Sequence, residues 1–149
     1  MPFHVKENII TADLAFEATA KTLAGLFTEC ARAVAAASAD PKTISPRIKK
    51  NIHIEKSDVE KLLFEFLEEL IYLKDVAGMV YTKFDITVMK NKKKKKEAWT
   101  LRCTAYGDTI DRSGKKKQDL LHDLKAVTLH RFSVKKERGT WKAFVVIDL

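Results

Sequence analysis

The chain ends in the stretch Val145-Val146-Ile147-Asp148-Leu149, which combines the pattern of a buried strand with a carboxylate that does not fit it. Three β-branched apolar residues favour a strand inside a core, yet Asp148 stands next to last and the carboxylate of Leu149 follows. Asp13 repeats the pattern within Ile9-Ile10-Thr11-Ala12-Asp13-Leu14, and no Lys or Arg lies within five residues of either acid. Because burial of an unpaired carboxylate costs several kcal/mol, we expect both acids to have a specific partner.

Two interpretations of these acids are open. A hard cation such as Ca²⁺ would neutralise both, because carboxylates from distant segments commonly hold such ions. The acids could meet if their strands were neighbours, and the terminal carboxylate of Leu149 and a main-chain carbonyl would then join Asp13 and Asp148 in a small oxygen site. Alternatively, Asp148 is the fraying end of a strand and Asp13 is a turn residue, since aspartates at strand ends are common.

Hydrophobic periodicity outward from these strands predicts an α+β fold. One helical stripe runs from Thr22 to about Ala37; a second helix begins at a capping box formed by Ser57 and Glu60 and ends at Gly78. We expect two amphipathic helices packed on a mostly antiparallel β-sheet, in a single domain over residues 1–149. The remaining expectations are strands at 3–10, 14–19, 44–56, 79–90, 97–106, 125–136 and 141–149, with Val80, Phe84, Ile86 and Val88 on one face of the fourth strand, and a long polar loop over 107–124.

The chain is basic, with a net charge of +8 over 149 residues. Much of the excess lies in two lysine clusters, 90–96 and 115–117, both in predicted loops. Loop lysines are flexible and hydrated, and no aromatic residue is interleaved with them to stack on bases. Solubility, or loose attraction to an RNA-bearing partner, is therefore favoured over a specific RNA platform. A basic RNA-binding module that acts through these lysine-rich loops is the alternative function.

The cysteines and the apolar runs bear on the cellular setting. Cys30 falls in a helical pattern and Cys103 in a strand pattern, so we expect small buried thiols and a reducing, cytoplasmic location. The first residues lack a secretory signal pattern, and no apolar run approaches the roughly 20 residues that span a bilayer. We expect no membrane partner.

Little in the chain favours catalysis. The four histidines lack the spacing of zinc ligands, and the five glycines form no phosphate-binding loop. His130 lies in a strand pattern, where a structural role is favoured over a catalytic one. The acidic residues of the second helix are expected to be a hydrated surface: Glu65, Glu68 and Glu69.

Four blocks of sequence, in order, resemble the archease family. Thr11-Ala12-Asp13 precedes an alternating strand, and Lys21-Thr22-Leu23 opens the first helix. The second helix contains Leu62-Leu63-Phe64-Glu65-Phe66-Leu67-Glu68-Glu69-Leu70-Ile71-Tyr72, similar to the family's helix in pattern and position. Lys125-Ala126-Val127-Thr128-Leu129-His130 resembles the family's Lys-Ala-(Ile/Val)-Thr-Tyr-His segment, and the final strand has the family's penultimate aspartate.

Three positions depart from the family pattern. Ile10 stands where the family usually has a histidine, Leu129 where it has a tyrosine and Ala20 where it has a glycine. The change at Ile10 removes a polar neighbour of the expected site, so no role of that histidine transfers to this chain. Both aspartates are intact.

The resemblance implies a specific function. Archeases are small, non-enzymatic accessory proteins of the RtcB-type RNA-splicing ligase, which joins tRNA exon halves, and they promote its guanylylation and its multiple turnover. Their matching aspartates bind a divalent metal, described as Ca²⁺. By this resemblance Asp13 and Asp148 are metal ligands, an oxygen of Leu149 completes the set, and Lys125 and His130 border the site. The lysine loops would favour encounter with the RNA-loaded ligase, giving weak or indirect contact with tRNA.

A third class of function is a general chaperone-like interaction protein. Such a protein needs an exposed apolar patch, which only the fold can reveal.

Overall fold

Two antiparallel sheets and two α-helices make up the chain in its computed structural model, which describes residues 2–6, 13–93 and 96–149. The elements follow one another in the order β1 (Phe3–Lys6), β2 (Asp13–Ala20), α1 (Leu23–Ser38), β3 (Ile48–Lys56), α2 (Val59–Ala77), β4 (Met79–Lys93), β5 (Lys96–Thr109), β6 (Ala126–Glu137) and β7 (Thr140–Asp148), with a short 3-10 turn at Pro41–Thr43. The part of the first predicted strand beyond Lys6 lies outside the described residues.

The described strands pair in the orders β1-β2-β7-β6 and β3-β5-β4, and every neighbouring pair is antiparallel. The predicted α+β class is confirmed. The strands form two sheets rather than the single sheet expected, because periodicity shows that a strand is half-buried but not which strand lies beside it. Both helices contact strands of both sheets, so one core serves the whole fold.

The core contains the helical stripes predicted from the sequence. The most deeply buried members on α1 are Leu26, Phe27, Cys30, Ala31 and Val34, and those on α2 are Leu62, Leu63, Phe66, Leu67 and Leu70. The rings of Phe27 and Phe66 stack with centroids 6.2 Å apart, which joins the two helices. Full burial of each large apolar side chain stabilises the fold by about 1.5–3 kcal/mol. Within the described residues, no helix is long and apolar enough to span a membrane.

The helix ends follow cap chemistry, with one correction. Thr22 caps α1, as its side chain accepts a hydrogen bond from the Gly25 N–H at 3.0 Å. The predicted capping box of α2 is wrong by one residue: Asp58, not Ser57, is the N-cap, and its carboxylate accepts from the Lys61 N–H at 2.8 Å. Both residues can cap a helix, so the sequence alone does not separate them.

Glu60 has a different partner from the one predicted. Its side chain accepts a hydrogen bond from the Val134 N–H at 3.3 Å, which ties the start of α2 to β6. The end of α2 is as predicted, because Gly78 has φ +63 and terminates the helix in the left-handed conformation.

A register shift between Tyr81 and Lys83 corrects the predicted face of β4. Val80 pairs with Asp108 and therefore lies on the face opposite Phe84, which pairs with Ala105. The extra residue, Thr82, inverts the alternation on which the prediction relied. Val80 packs in a small separate cluster with two residues of the preceding loops, Ala39 and Ile44.

The lysine-rich segment predicted as a loop belongs largely to a long hairpin. Strand β4 continues to Lys93 and β5 begins at Lys96. The predicted loop over 107–124 is also shorter, because β5 continues to Thr109. The second lysine cluster, 115–117, does lie in a turn.

The loop after β5 is anchored rather than free. Leu124 is fully buried, and the Lys116 ammonium lies 3.0 Å from the carboxylate of Asp108, which is itself 4% exposed. Burial alone would raise the pKa of Asp108, but hydrogen bonds from Lys116 and from the Thr109 N–H hold it below its usual value.

Candidate metal centre

The pairing of β2 with β7 sets Asp13 directly opposite Asp148. Directly opposed residues of antiparallel strands share a face of the sheet, with their Cβ atoms about 4.5–5.5 Å apart. The two sequence-predicted acids, 135 positions apart in the chain, therefore meet at one end of the four-stranded sheet. We call this end, defined by Asp13, Asp148 and Leu149, the acidic corner.

The register that joins the two acids is fixed by the apolar residues between them. Phe16 and Val145 are cross-strand partners, both fully buried, and Ile147 is buried beside them. A slip of one residue would turn these side chains towards solvent and would lose several kcal/mol of burial. The opposed carboxylates are thus a consequence of core packing on the other face of the same strands.

Asp148 is not buried, so the expectation of a desolvated carboxylate at this position is wrong. Its side chain is exposed and that of Asp13 is half-buried, so neither is deeply desolvated. The next pair on the same face, Ala15 and Val146, is 1% exposed at each residue, which puts the carboxylates at the edge of a buried patch. Like charges placed directly opposite one another repel, so each carboxylate destabilises the other.

Neither carboxylate is neutralised by the protein within the described residues. Asp13 and Asp148 have no side-chain hydrogen bond or ion pair to any residue in those ranges. The same residues contain no cluster of three or more His, Cys, Asp or Glu side chains suited to a metal. Two carboxylates suit a hard cation, and its other ligands would come from main-chain oxygens, Leu149 and water, since Ca²⁺ takes six to eight oxygens.

Lys125 borders the acidic corner through its backbone. Its N–H donates to the Asp148 carbonyl at 2.9 Å, and the next residue, Ala126, is the β6 partner of Asp148. The Lys125 side chain is exposed, and Leu149 is half-buried against the core. The start of β6 therefore holds the end of β7 in position.

His130 lies away from the opposed carboxylates. Strand β6 bulges between Thr128 and Ser133, so residues 129–132 have no ladder partners on β7, and His130 is exposed in this bulge. Its N–H donates to the Thr128 hydroxyl at 3.3 Å. His130 therefore lies on the surface, in the irregular part of β6.

Sequence reasoning missed one residue that supports the corner. Glu68, expected on a hydrated face, is half-buried, and its carboxylate accepts from the Val127 N–H at 2.6 Å. This bond fixes the start of β6 to α2. Its signal in the sequence is weak: Glu68 adjoins the buried Leu67 on the helix, whereas Glu65 is exposed.

The two cysteines offer no nucleophile. Cys30 and Cys103 are both free and buried, as predicted. Burial, with a smaller contribution from Asp85, raises the pKa of Cys103 to about 12, and burial likewise raises the pKa of Cys30. Both thiols are protonated near neutral pH and are poor nucleophiles.

Fold and site together define a small α+β protein with a paired-carboxylate corner. The model of the Archease protein family matches residues 3–149. The chain belongs to the archease family, as its sequence blocks predicted.

Individual relatives and structures agree with this assignment. The chain is 32% identical to a protein archease of Methanopyrus kandleri over 149 residues, covering 100% of both chains. It is 31% identical to that of Pyrococcus furiosus, covering 93% of this chain and 94% of the relative. The solution structure of Methanobacterium thermoautotrophicum Protein 1598 superposes with a TM-score of 0.79 at 26% identity, covering 99% of each chain. The crystal structure of an archease from Thermotoga maritima, there called a possible chaperone, has a TM-score of 0.54 at 18% identity over 98% of each chain, a likeness of fold.

Proposed function

We propose that this protein is an accessory factor of the RtcB-type RNA-splicing ligase and acts through a divalent cation, Ca²⁺, held by Asp13 and Asp148 with an oxygen of Leu149. The observation that carries the proposal is the direct opposition, in the β2–β7 ladder, of two carboxylates that have no partner among the described residues. Membership of the archease family supports the accessory role.

The residues of the corner would supply position and charge rather than bond-making chemistry. The core-locked register holds the carboxylates of Asp13 and Asp148 at a constant separation, which is the preorganisation that a cation site needs. The Lys125 N–H bonds the Asp148 carbonyl and the Glu68 carboxylate bonds the Val127 N–H, which ties β7, the start of β6 and α2 together beside the site. A divalent cation at this point would offset charge that develops on phosphate oxygens during guanylylation of the ligase.

The exposure of Asp148 suits such a role. A cation held at a sheet end, with one ligand exposed to solvent, keeps coordination positions that a partner's oxygens could fill. A structural metal site would instead be enclosed by protein ligands. The proposal therefore places the functional contact at the sheet end that carries Asp13.

The test is multiple-turnover RNA ligation by the matching ligase with and without this protein. Asp13→Asn and Asp148→Asn keep side-chain size and remove the negative charge; each should reduce ligation to the level of the ligase alone. The matched control is Asp119→Asn, an exposed aspartate in the loop after β5. Circular dichroism establishes that all three variants are folded. Stimulation by both corner variants at the wild-type level would contradict the proposal.

A further inference from the structure

The outer face of the three-stranded sheet is open to solvent in the described part of the chain. Its inner face packs on both helices through buried residues such as Leu101 and Ala105. The alternate residues of each strand point outward, and those of β3 from Lys49 to Glu55 and of β4 from Lys83 to Met89 are exposed, whereas the end of this face at Val80 is covered by the loop over 39–44. We call this surface the open face and define it by Lys49, His53, Lys83, Asp85, Arg102 and Tyr106.

The register arranges the side chains of the open face in rows across the sheet. Lys49, Tyr106 and Lys83 form one row, with the aromatic residue on the central strand. His53 and Arg102 belong to another row, and a shallow depression of about 690 Å³ on the sheet includes both among its lining residues. The outward residues of the edge strands are exposed, and on the central strand Arg102 is exposed and Tyr106 half-exposed.

Most of the protein's net charge belongs to the segments that contain this sheet's strands and the lysine cluster 90–96. Residues 48–56 and 79–109 contain eleven Lys or Arg and four Asp or Glu, which leaves seven of the eight net positive charges there. The rest of the chain is therefore almost neutral. Six of the eleven cations are the lysines of the 90–96 cluster. On the open face itself the cations are Lys49, Lys83 and Arg102 and the acids are Glu55 and Asp85, so the face is weakly basic and its recognition of an anionic partner depends on where these cations lie.

The row at Tyr106 combines two ammonium groups with an aromatic ring. The Lys49 and Lys83 nitrogens lie 5.9 Å and 5.1 Å from the ring centroid. The Tyr106 hydroxyl donates to the Asp85 carboxylate at 3.0 Å, which fixes the orientation of the ring. Proteins bind single-stranded nucleic acids with this combination of a half-exposed aromatic ring and neighbouring cations. The cations contact phosphates and the ring stacks on a base.

We propose that the open face binds single-stranded RNA, with Lys49, Lys83 and Arg102 contacting phosphates and the Tyr106 ring stacking on a base. This contact lies on the sheet face rather than in the lysine loops considered from the sequence, and it belongs to the other sheet from the acidic corner. Splayed bases are accessible to a flat sheet in a single strand, whereas a duplex hides them within its stack.

The first experiment measures fluorescence anisotropy of a labelled, short single-stranded oligoribonucleotide of mixed sequence, in buffer with EDTA and without ligase. The test variant is Lys49→Gln with Lys83→Gln, and the control is Lys42→Gln with Lys135→Gln, two exposed lysines on other surfaces. Both double variants lose the same charge. The open-face variant should bind roughly ten-fold more weakly, and the slope of log affinity against log salt should decrease by about 1.4, since each phosphate contact contributes about 0.7 for single strands.

The second comparison isolates the ring. Tyr106→Phe removes the hydroxyl bond to Asp85 but keeps the aromatic face, and Tyr106→Leu removes the face as well. Affinity should be retained by the first variant and lost by the second, on the order of ten-fold. A duplex of the same sequence should bind more weakly than the single strand.

Three results would overturn the proposal. Equal weakening by the two double-lysine variants would show that RNA responds only to overall charge. Equal affinity of single strand and duplex, with no effect of Tyr106→Leu, would exclude stacking. RNA affinity unchanged in the open-face variant, together with loss of its binding to the ligase alone, would assign the face to an acidic protein surface. Because EDTA is present and the ligase is absent, failure of the ligase proposal leaves the RNA measurement unaffected.

Discussion

The acidic corner depends on two carboxylates and one strand pairing, whereas the open face depends on three strands and on charge spread over many residues. Asp13 and Asp148 repel unless a cation joins them, so each is individually necessary to a metal site. On the open face, each of the three cations would contribute a similar, salt-screened part of the free energy of RNA binding: Lys49, Lys83 and Arg102. Loss of one acid should thus abolish its site, while loss of one lysine should only weaken binding.

The two regions also differ in what holds them together. The β2–β7 register is anchored by buried side chains, including Phe16 and Val145, which could repack around a small change. The β4–β5 pairing contains a backbone approach so close that Gly107 has no room for a side chain. The three-stranded sheet is therefore the region more sensitive to a single methyl group.

The largest effect should come from Gly107→Ala. A Cβ at this position would lie 1.8 Å from the Val80 carbonyl oxygen and 2.9 Å from the Tyr81 Cα, and backbone atoms cannot rotate away. We expect the free energy of unfolding to fall by about 3 kcal/mol or more, measured by urea denaturation.

The control for this clash is Gly114→Ala. Gly114 also resists substitution, with φ +81, but nothing lies within 4 Å of an added Cβ. Its cost should be about 1–2 kcal/mol, from backbone strain alone. Equal losses in the two variants would mean that the close approach at Gly107 is relieved at no cost, and the contrast between the two sheets would disappear.

The sequence predicted the acidic corner better than the open face, for a physical reason. Asp13 and Asp148 each contrast with apolar neighbours in their own segment, so the signal is local. The row at Tyr106 assembles residues from three segments, and its geometry requires the registers of two strand pairs. The bulge at Thr82 shifts one of those registers by a residue, as the misplaced face of Val80 shows, and no single-strand pattern reports it.

The helices were predictable, because their apolar residues recur with one clear helical spacing. The stripe on α2 and its end at Gly78 were confirmed because helical spacing and a left-handed glycine are both local. The division into two sheets was not predicted, because the alternation within one strand does not show which strand lies beside it. The sequence left the exposure of Asp148 open, because the apolar run Val145–Ile147 favours burial whereas a position at a strand end favours exposure.

A smaller effect, with a defined sign, should follow Asp148→Asn. In EDTA the variant should be more stable than wild type by about 0.2–1 kcal/mol, because one member of a like-charged pair is neutralised. Added CaCl₂ should raise the Tm of wild type as ligand binding to the folded state requires, and should leave the variant unchanged. Differential scanning fluorimetry with Asp119→Asn as the control measures both. A destabilised variant in EDTA would show that Asp148 already has a favourable partner without a cation.

The smallest effect concerns the two thiols, one on the three-stranded sheet and one on α1. Cys103 is on the inner face of β5 behind the open face, and Cys30 lies in the core on α1. Burial raises the pKa of Cys103 to about 12, above the roughly 8.5 of an unfolded thiol. The contribution of this thiol to the free energy of unfolding is therefore fully present below about pH 8.5 and is lost as the pH rises towards 12.

Alkylation by iodoacetamide at pH 8 should therefore be far slower in the native protein than in urea. Cys103 should react before Cys30, since it is 4% rather than 0% exposed and belongs to the more sensitive sheet. Mass spectrometry of peptides resolves the two sites, and Cys30→Ser isolates the rate of Cys103. Simultaneous alkylation at both sites would mean that reaction requires global unfolding. In that case the two sheets open as one cooperative unit, and the sensitivity at Gly107 belongs to the whole fold rather than to one sheet.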